Sequence, residues 1–287
     1  MEPAGFAGLG AVVGVSDRGR REVAATEVGV DASFRIASLS KTVTAAATVK
    51  ALSSKGFGLD VAVAEVLTEL ETDLTVAQVL SQSSGLRQTV SAADAAALGD
   101  GDDVFARAAS LVVAGGQEFP PGERWAYYNG NYFLAGALLA RLTGGTFEDA
   151  VGEFVAGVGL ESTGFQPSEG YPRARRPSGG LWSTVPELLT FCEFLLRDKA
   201  LLAEIARPRV STPLAYGLGW AVGPMLYLNG RLDGYRAAML LSPEHEWAAA
   251  MLVNDTDSLP AIAAYLDELQ RPLTGVPMAS LIDGFAA

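Results

Sequence analysis

Strand-like patterns occur at both ends of this 287-residue chain, and a long helical stretch separates them. Residues 7–16 and 21–28 alternate small and β-branched residues around Asp-Arg-Gly-Arg, which predicts a β-hairpin. Residues 237–242 and 247–254 have the same character on either side of Pro-Glu-His-Glu. The predicted fold class is therefore α+β, an antiparallel sheet built from both chain ends with flanking helices and an inserted, mainly helical region.

The middle of the chain carries apolar residues at three- to four-residue spacing, which is typical of amphipathic helices. This spacing predicts helices over 75–80, 103–114, 131–142, 146–155 and 186–196. A further helix is predicted over 38–54, ending near Lys55-Gly56, and a last one over 259–269.

A hydroxyl and an amine lie one helical turn apart in Ser38-x-x-Lys41, within Phe-Arg-Ile-Ala-Ser-Leu-Ser-Lys. Serine is a weak nucleophile at neutral pH and needs a nearby base. Positions i and i+3 share one face of a helix, so the Lys41 amine can reach the Ser38 oxygen. The alternative is that Ser38 is a helix N-cap and Lys41 a solvated residue of the first turn.

Four further segments follow this motif in the chain. Residues 74–86 read Leu-Thr-Val-Ala-Gln-Val-Leu-Ser-Gln-Ser-Ser-Gly-Leu; residues 119–136 contain Phe-Pro-Pro-Gly-Glu, then Tyr-Tyr-Asn; residues 179–188 read Gly-Gly-Leu-Trp-Ser-Thr-Val-Pro-Glu-Leu; and residues 216–220 read Tyr-Gly-Leu-Gly-Trp. With Ser38-x-x-Lys41, this order resembles the serine β-lactamase and penicillin-binding-protein superfamily, in its class C-related branch of esterases, amidases and transacylases.

The resemblance implies a two-part fold with the active site in the cleft between the parts. We expect residues 1–58 and 212–287 to form the sheet subdomain and residues 59–211 the helical subdomain. Ser38 would be the nucleophile, and Lys41 would accept its proton or hold a neighbouring phenol ionised.

Tyr127-x-Asn129 matches the second motif of that branch. The resemblance implies that Tyr127 exchanges protons with Ser38 and the leaving group, and that Asn129 hydrogen-bonds Lys41 or a substrate amide. The alternative is aromatic packing in a loop rich in aromatic residues, and Tyr128 is the neighbour most easily confused with Tyr127.

The third motif departs from the relatives, which carry Lys-Thr-Gly, His-x-Gly or Trp-x-Gly on the strand that lines the cleft. The spacing places Leu228-Asn-Gly230 there, and leucine lacks a group that binds a carboxylate. This absence argues against β-lactams and D-Ala-D-Ala peptides as substrates. Gly230 permits close approach, the Arg231 N–H could complete an oxyanion hole with that of Ser38, and the Arg231 side chain is a candidate anion binder. Gln82 stands where many relatives have histidine, in a turn that we interpret as structural.

Composition limits which other functions are possible. The net charge of −12 disfavours nucleic acid as a binding partner, and no basic run suggests binding to an anionic membrane surface. Cys192 and His245 are the only cysteine and histidine, so an internal disulfide, a Ser-His-Asp triad and a common zinc site are not expected. We expect no cofactor, a buried structural Cys192 and an exposed, inert His245. The N-terminal residues show no signal peptide, from which we expect a cytoplasmic protein.

The leading hypothesis is serine-dependent acyl transfer through an acyl-enzyme on Ser38, with an ester or amide as the donor. Water as acceptor gives an esterase or amidase, and an amine or alcohol gives a transacylase, with secondary metabolism as one setting. The alternatives are a β-lactamase or DD-peptidase, and an inactive binding protein with the same fold. The sequence does not identify the acyl donor, the acceptor or the oligomeric state.

Overall fold

A computed structural model describes residues 3–166 and 170–277 of the chain. The strands are β1 Ala11–Asp17, β2 Arg20–Thr26, β3 Phe34–Arg35, β4 Trp182–Ser183, β5 Ala221–Val222, β6 Leu226–Leu232, β7 Tyr235–Ser242 and β8 Trp247–Val253. The main sheet is antiparallel throughout and has the strand order β2-β1-β8-β7-β6-β5. The short strands β3 and β4 form a separate two-stranded sheet.

The helices lie mostly between β3 and β5. They are α1 Ser40–Ser54, α2 Val63–Val66, α3 Val76–Leu80, α4 Ala92–Ala97, α5 Val104–Ala114, α6 Asn129–Thr143, α7 Phe147–Val158, α8 Arg176–Gly179, α9 Val185–Arg197, α10 Lys199–Ala206 and α11 Leu259–Thr274; short 3₁₀ turns cover Ala4–Phe6, Ala37–Leu39 and Arg173–Arg175. The predicted α+β class is therefore confirmed, since the sheet takes its strands from both chain ends.

Pairing between β1 and β8 joins the two chain ends, with Ala11 opposite Val253 and Asp17 opposite Trp247. Every residue of β8 is buried. Helix α9 covers one face closely: a Cβ at Gly14 of β1 would lie 2.6 Å from Val185 Cγ1. Leu259, Ile262 and Leu266 of α11 are also buried.

The helical segment predicted over 59–211 contains α9, which packs on the sheet rather than away from it. Helix α1 in turn packs against α6, in the middle of the helical region. The division into two subdomains stays a prediction. None of the helices within the described residues combines the length and the apolar character that crossing a lipid bilayer requires.

Candidate active site

Ser38 lies in the 3₁₀ turn Ala37–Leu39, between β3 and α1. Helix α1 begins at Ser40, and its N-cap Leu39 makes no side-chain capping bond, so Ser38 does not cap this helix. Ala37 has a φ of +47°, a left-handed conformation that costs free energy for a residue other than glycine. In this turn the Ser38 hydroxyl contacts two other side chains.

Those two side chains are Tyr127 and Lys41. The Ser38 Oγ and the Tyr127 hydroxyl oxygen are 2.7 Å apart, with either group able to donate. The Lys41 ammonium or amine nitrogen donates to the Ser38 Oγ over 3.2 Å. The three residues that the sequence analysis placed at the centre of the site therefore meet in one hydrogen-bonded group.

Lys41 is fully buried, with 0% of its surface exposed. Its Nζ donates over 2.6 Å to the Ser178 carbonyl and lies 4.8 Å from the Tyr127 ring centre. Burial, followed by repulsion from the Arg175 guanidinium, holds the pKa of Lys41 well below its usual range. The lowered pKa favours the neutral amine, which is the form that can accept a proton.

Tyr127 precedes α6, and its phenol has the opposite tendency. Burial raises its pKa to about 12, although the hydrogen bond from Ser38 opposes this shift. The phenol therefore stays protonated at neutral pH and can donate. The neighbouring Tyr128 points elsewhere, since its hydroxyl accepts a hydrogen bond from the Val90 N–H over 3.1 Å.

Asn129 is the first residue of α6 and is partly exposed. Within the described ranges, the hydrogen-bond partners of the Lys41 amine are Ser38 and Ser178, and Asn129 is not among them. A contact of Asn129 with a substrate amide stays a prediction.

Strand β6 approaches Ser38 at Gly230. A Cβ at this position would lie 2.5 Å from the Ile36 carbonyl oxygen and 3.1 Å from the Ser38 nitrogen, so a side chain does not fit without movement. Arg231 follows with an exposed side chain. This proximity brings the backbone of β6 next to Ser38, as an oxyanion hole requires.

Leu228 lies on the same strand, two residues before Gly230, and is fully buried opposite Met239 of β7. Because side chains alternate along a strand, Leu228 and Gly230 face the same side. The position therefore contributes apolar packing next to the nucleophile turn.

Three parts of the site were not predicted from the sequence: the Ser178 carbonyl, the Arg175 side chain and Tyr171. Guanidinium groups of Arg35 and Arg175 lie 5.5 Å and 5.1 Å from the Tyr171 ring centre. Burial raises the pKa of Tyr171. A backbone carbonyl has no residue-type signature, but the Arg-Ala-Arg-Arg run at 173–176 was a visible basic cluster in an acidic chain.

The two single residues that the sequence analysis set aside lie outside this group. Cys192 is buried in α9, and burial raises the pKa of its thiol to about 12, as expected for a structural cysteine. His245 is partly buried rather than exposed, because its Nδ1 hydrogen-bonds the Ser242 hydroxyl over 2.9 Å at the β7–β8 turn. In the described part of the chain, no three histidine, cysteine, aspartate or glutamate side chains are grouped as metal ligands.

The chain is similar to known proteins over most of its length. Penicillin-binding protein 4 of Amycolatopsis lactamdurans is 24% identical over 307 residues, covering 88% of this chain and 80% of that protein. The octameric penicillin-binding protein homologue of Pyrococcus abyssi superposes with a TM-score of 0.80 at 18% identity, over 94% of this chain and 74% of that one. A D-stereospecific amidohydrolase of Streptomyces sp. gives a TM-score of 0.72 at 22% identity, over 94% and 95% of the two chains.

These similarities extend over nearly the whole chain, and the two solved structures show that it shares their fold. The Beta-lactamase family model matches residues 4–270, a span that includes the sheet, the inserted helices and the Ser38 site, so the chain belongs to the β-lactamase family.

Proposed function

We propose that this chain is a serine acyl-transfer enzyme that takes an acyl group from an ester or amide onto Ser38. One observation carries the proposal: the Ser38 Oγ lies within hydrogen-bond distance of both the Tyr127 hydroxyl and the buried Lys41 amine. The nucleophile thus has a proton acceptor and a proton donor beside it.

Acylation begins when Lys41 accepts the Ser38 hydroxyl proton and the Ser38 Oγ bonds to the substrate carbonyl carbon. The pKa of Lys41, held low by burial and Arg175, makes the neutral amine available for this step. The N–H groups of Ser38 and Arg231 would stabilise the oxyanion of the tetrahedral intermediate. When the bond to the leaving group breaks, Tyr127 donates its proton to that group and recovers one from Lys41.

Deacylation reverses these proton movements with a new nucleophile. Water gives the free acid, whereas an amine or alcohol gives a new amide or ester, and the incoming group loses its proton toward Lys41 through Tyr127. The residues of the site serve all these acceptors equally. The esterase, amidase and transacylase activities therefore remain alternatives within one proposal.

Leu228 is buried and uncharged, so it supports an acyl donor whose binding does not require a cation at the third-motif position. A β-lactamase or DD-peptidase activity is the second candidate, favoured by the similarity to penicillin-binding protein 4 across 88% of the chain. The Streptomyces amidohydrolase supports amide donors in the same way.

The intact protein mass after brief exposure to a p-nitrophenyl acyl ester tests the proposal, beside a penicillin and a Ser38→Ala control. We expect a mass gain equal to the acyl group in the wild type and none in Ser38→Ala. Rapid labelling by penicillin would favour the second candidate. An ester adduct that persists in Ser38→Ala would show that another residue reacts and would contradict the proposal.

A further inference from the structure

Gln82 holds the backbone on both sides of Tyr127. Its main-chain carbonyl accepts a hydrogen bond from the Ala126 N–H over 2.9 Å, and its side-chain Oε1 accepts one from the Tyr128 N–H over 3.1 Å. One residue therefore holds the N–H groups of both residues that flank Tyr127, whose phenol contacts Ser38. The sequence analysis interpreted this turn as purely structural.

The Gln82 side chain is itself fixed by a second contact. The same Oε1 accepts a 2.6 Å hydrogen bond from the Asn131 side-chain amide, and the Asn131 Oδ1 accepts one from the Ser84 hydroxyl. Gln82, Asn131 and Ser84 are all nearly or completely buried. Buried hydrogen bonds of this kind have little freedom, so the position of the Oε1 is well defined.

Two features of Gln82 show that this arrangement is energetically unfavourable for the residue itself. Its φ is +58°, in the left-handed region that residues other than glycine seldom occupy. Its Nε2 is buried with no hydrogen-bond partner among the described residues. Conformational strain and an unpaired buried donor both lower the stability of the fold. Such features are concentrated at functional sites.

We propose that Gln82 is a positioning residue for Tyr127, setting the distance between the phenol oxygen and the Ser38 Oγ. This inference rests on the proposed role of Tyr127 in acyl transfer. Displacement of a reacting group by a fraction of an ångström to 1 Å slows catalysis strongly while affecting the protein fold little. Gln82 acts on Tyr127 through the backbone of Ala126 and Tyr128. It touches neither the substrate nor the nucleophile.

Two substitutions at Gln82 test the hydrogen bond between its side chain and the Tyr128 N–H separately from the stability of the fold. Gln82→Asn suits a left-handed φ but withdraws the amide oxygen by one methylene group. Gln82→Glu keeps the length and an oxygen acceptor for the Tyr128 N–H and the Asn131 amide. The matched control is Gln78→Asn, because Gln78 caps α3 by accepting from the Thr75 N–H and does not contact residues 126–128.

The rate of Ser38 acylation by the p-nitrophenyl ester is measured over a range of ester concentrations for each variant. We expect Gln82→Asn to slow acylation at saturating ester by about tenfold or more, with the half-saturating concentration nearly unchanged. Gln82→Glu should recover most of the rate, and Gln78→Asn should lower the melting temperature without slowing acylation.

Hydrogen exchange measured by mass spectrometry gives a readout that does not depend on activity. We expect faster exchange of the amides at 126–128 in Gln82→Asn, with the exchange of β7 and β8 unchanged. Wild-type acylation and exchange in Gln82→Asn would overturn the inference, as would an equal loss of rate in Gln82→Asn and Gln82→Glu.

Failure of the proposed acyl-transfer function would give a different experimental result from failure of the positioning role. Ser38→Ala and Tyr127→Phe would then react with the ester as the wild type does, which would remove the catalytic meaning of the Gln82 contacts. When both of these variants are slow and Gln82→Asn is not, only the positioning role fails.

Discussion

At the scale of single residues, the two adjacent tyrosines have different roles that mutation can separate. The Tyr127 hydroxyl contacts Ser38, whereas the Tyr128 hydroxyl contacts the Val90 N–H. We predict that Tyr127→Phe lowers the rate of acylation by about 10²- to 10⁴-fold, the range for loss of a general acid or base. Single-turnover release of p-nitrophenol measures this rate.

Tyr128→Phe is the matched control for that experiment. It should retain the wild-type rate and lower the free energy of unfolding by about 1 kcal/mol, through one lost hydrogen bond. Equal rates for the two variants would contradict the assignment of the proton donor to Tyr127.

A second prediction for single residues concerns the Arg175 guanidinium, which acts on Lys41 through its positive charge. Repulsion from Arg175 lowers the pKa of Lys41, after the larger effect of burial. Removal of the cation in Arg175→Gln therefore raises the pKa of Lys41, and less of the amine is neutral at a given pH. Since the neutral amine is the base, we predict that the acid limb of the kcat/KM profile moves to higher pH.

The pH dependence of ester turnover measures this shift. Arg18→Gln serves as the control, because Arg18 lies at the exposed β1–β2 turn and pairs with Asp17. An acid limb that stays in place in Arg175→Gln, or moves to lower pH, would rule out Lys41 as the base whose pKa Arg175 lowers.

The sequence predicted this site in part, for reasons that differ between residues. Ser38 and Lys41 are three positions apart, so a helical turn is enough to bring their side chains together. Tyr127 was recognised by its motif, although its distance from Ser38 depends on tertiary structure. The Ser178 carbonyl that binds Lys41 carries no residue-type signal, and neither do the backbone contacts of Gln82.

At the scale of elements, β6 approaches the nucleophile turn so closely that Gly230 has no room for a side chain. We predict that Gly230→Ala moves β6 away from Ser38, slows acylation by at least about tenfold and destabilises the fold. The reason is steric, since the new Cβ would contact the Ile36 carbonyl and the Ser38 nitrogen. Acylation kinetics together with urea unfolding measure both effects.

Gly152→Ala provides the control within the same protein. Gly152 lies in α7, and nothing is within 4 Å of an added Cβ. This substitution should leave the acylation rate unchanged and raise the free energy of unfolding by about 0.5–1 kcal/mol, because alanine favours a helix interior over glycine. A wild-type rate in Gly230→Ala would show that β6 does not shape the oxyanion site.

Periodicity predicted the longer elements well and the shorter ones poorly. Helices α5, α7 and α9 each bury one face, and their observed bounds differ from the predicted ones by no more than three residues. Helices α4 and α10 were not predicted, because six and eight residues show too few turns for a clear period. The predicted hairpin of β1 and β2 formed, with each strand shorter than expected.

At the scale of the whole molecule, β8 connects the two ends of the chain. Met251 is fully buried and lies opposite Val13 of β1 and Ala238 of β7. We predict that Met251→Ala lowers the free energy of unfolding by about 2–5 kcal/mol, the range for a cavity in a core. Amide exchange should show the same loss of protection in β1 and β7, because the strands unfold together.

The exposed Leu111 gives a control of similar chemistry. Leu111 is 44% exposed on α5, and Leu111→Ala should change the free energy of unfolding by less than about 0.5 kcal/mol. Loss of protection confined to β8 in Met251→Ala would contradict cooperative unfolding of the sheet. Urea unfolding and native-state hydrogen exchange provide both measurements.

The pairing of β1 with β8 also orders events during synthesis. When a ribosome has released the first 200 residues, the nascent chain already contains Ser38, Lys41, Tyr127 and the Ser178 carbonyl. It still lacks β6, which borders the nucleophile turn, and β8, the strand beside β1. Ser38 therefore acquires its complete surroundings only after the last strand of the sheet has emerged.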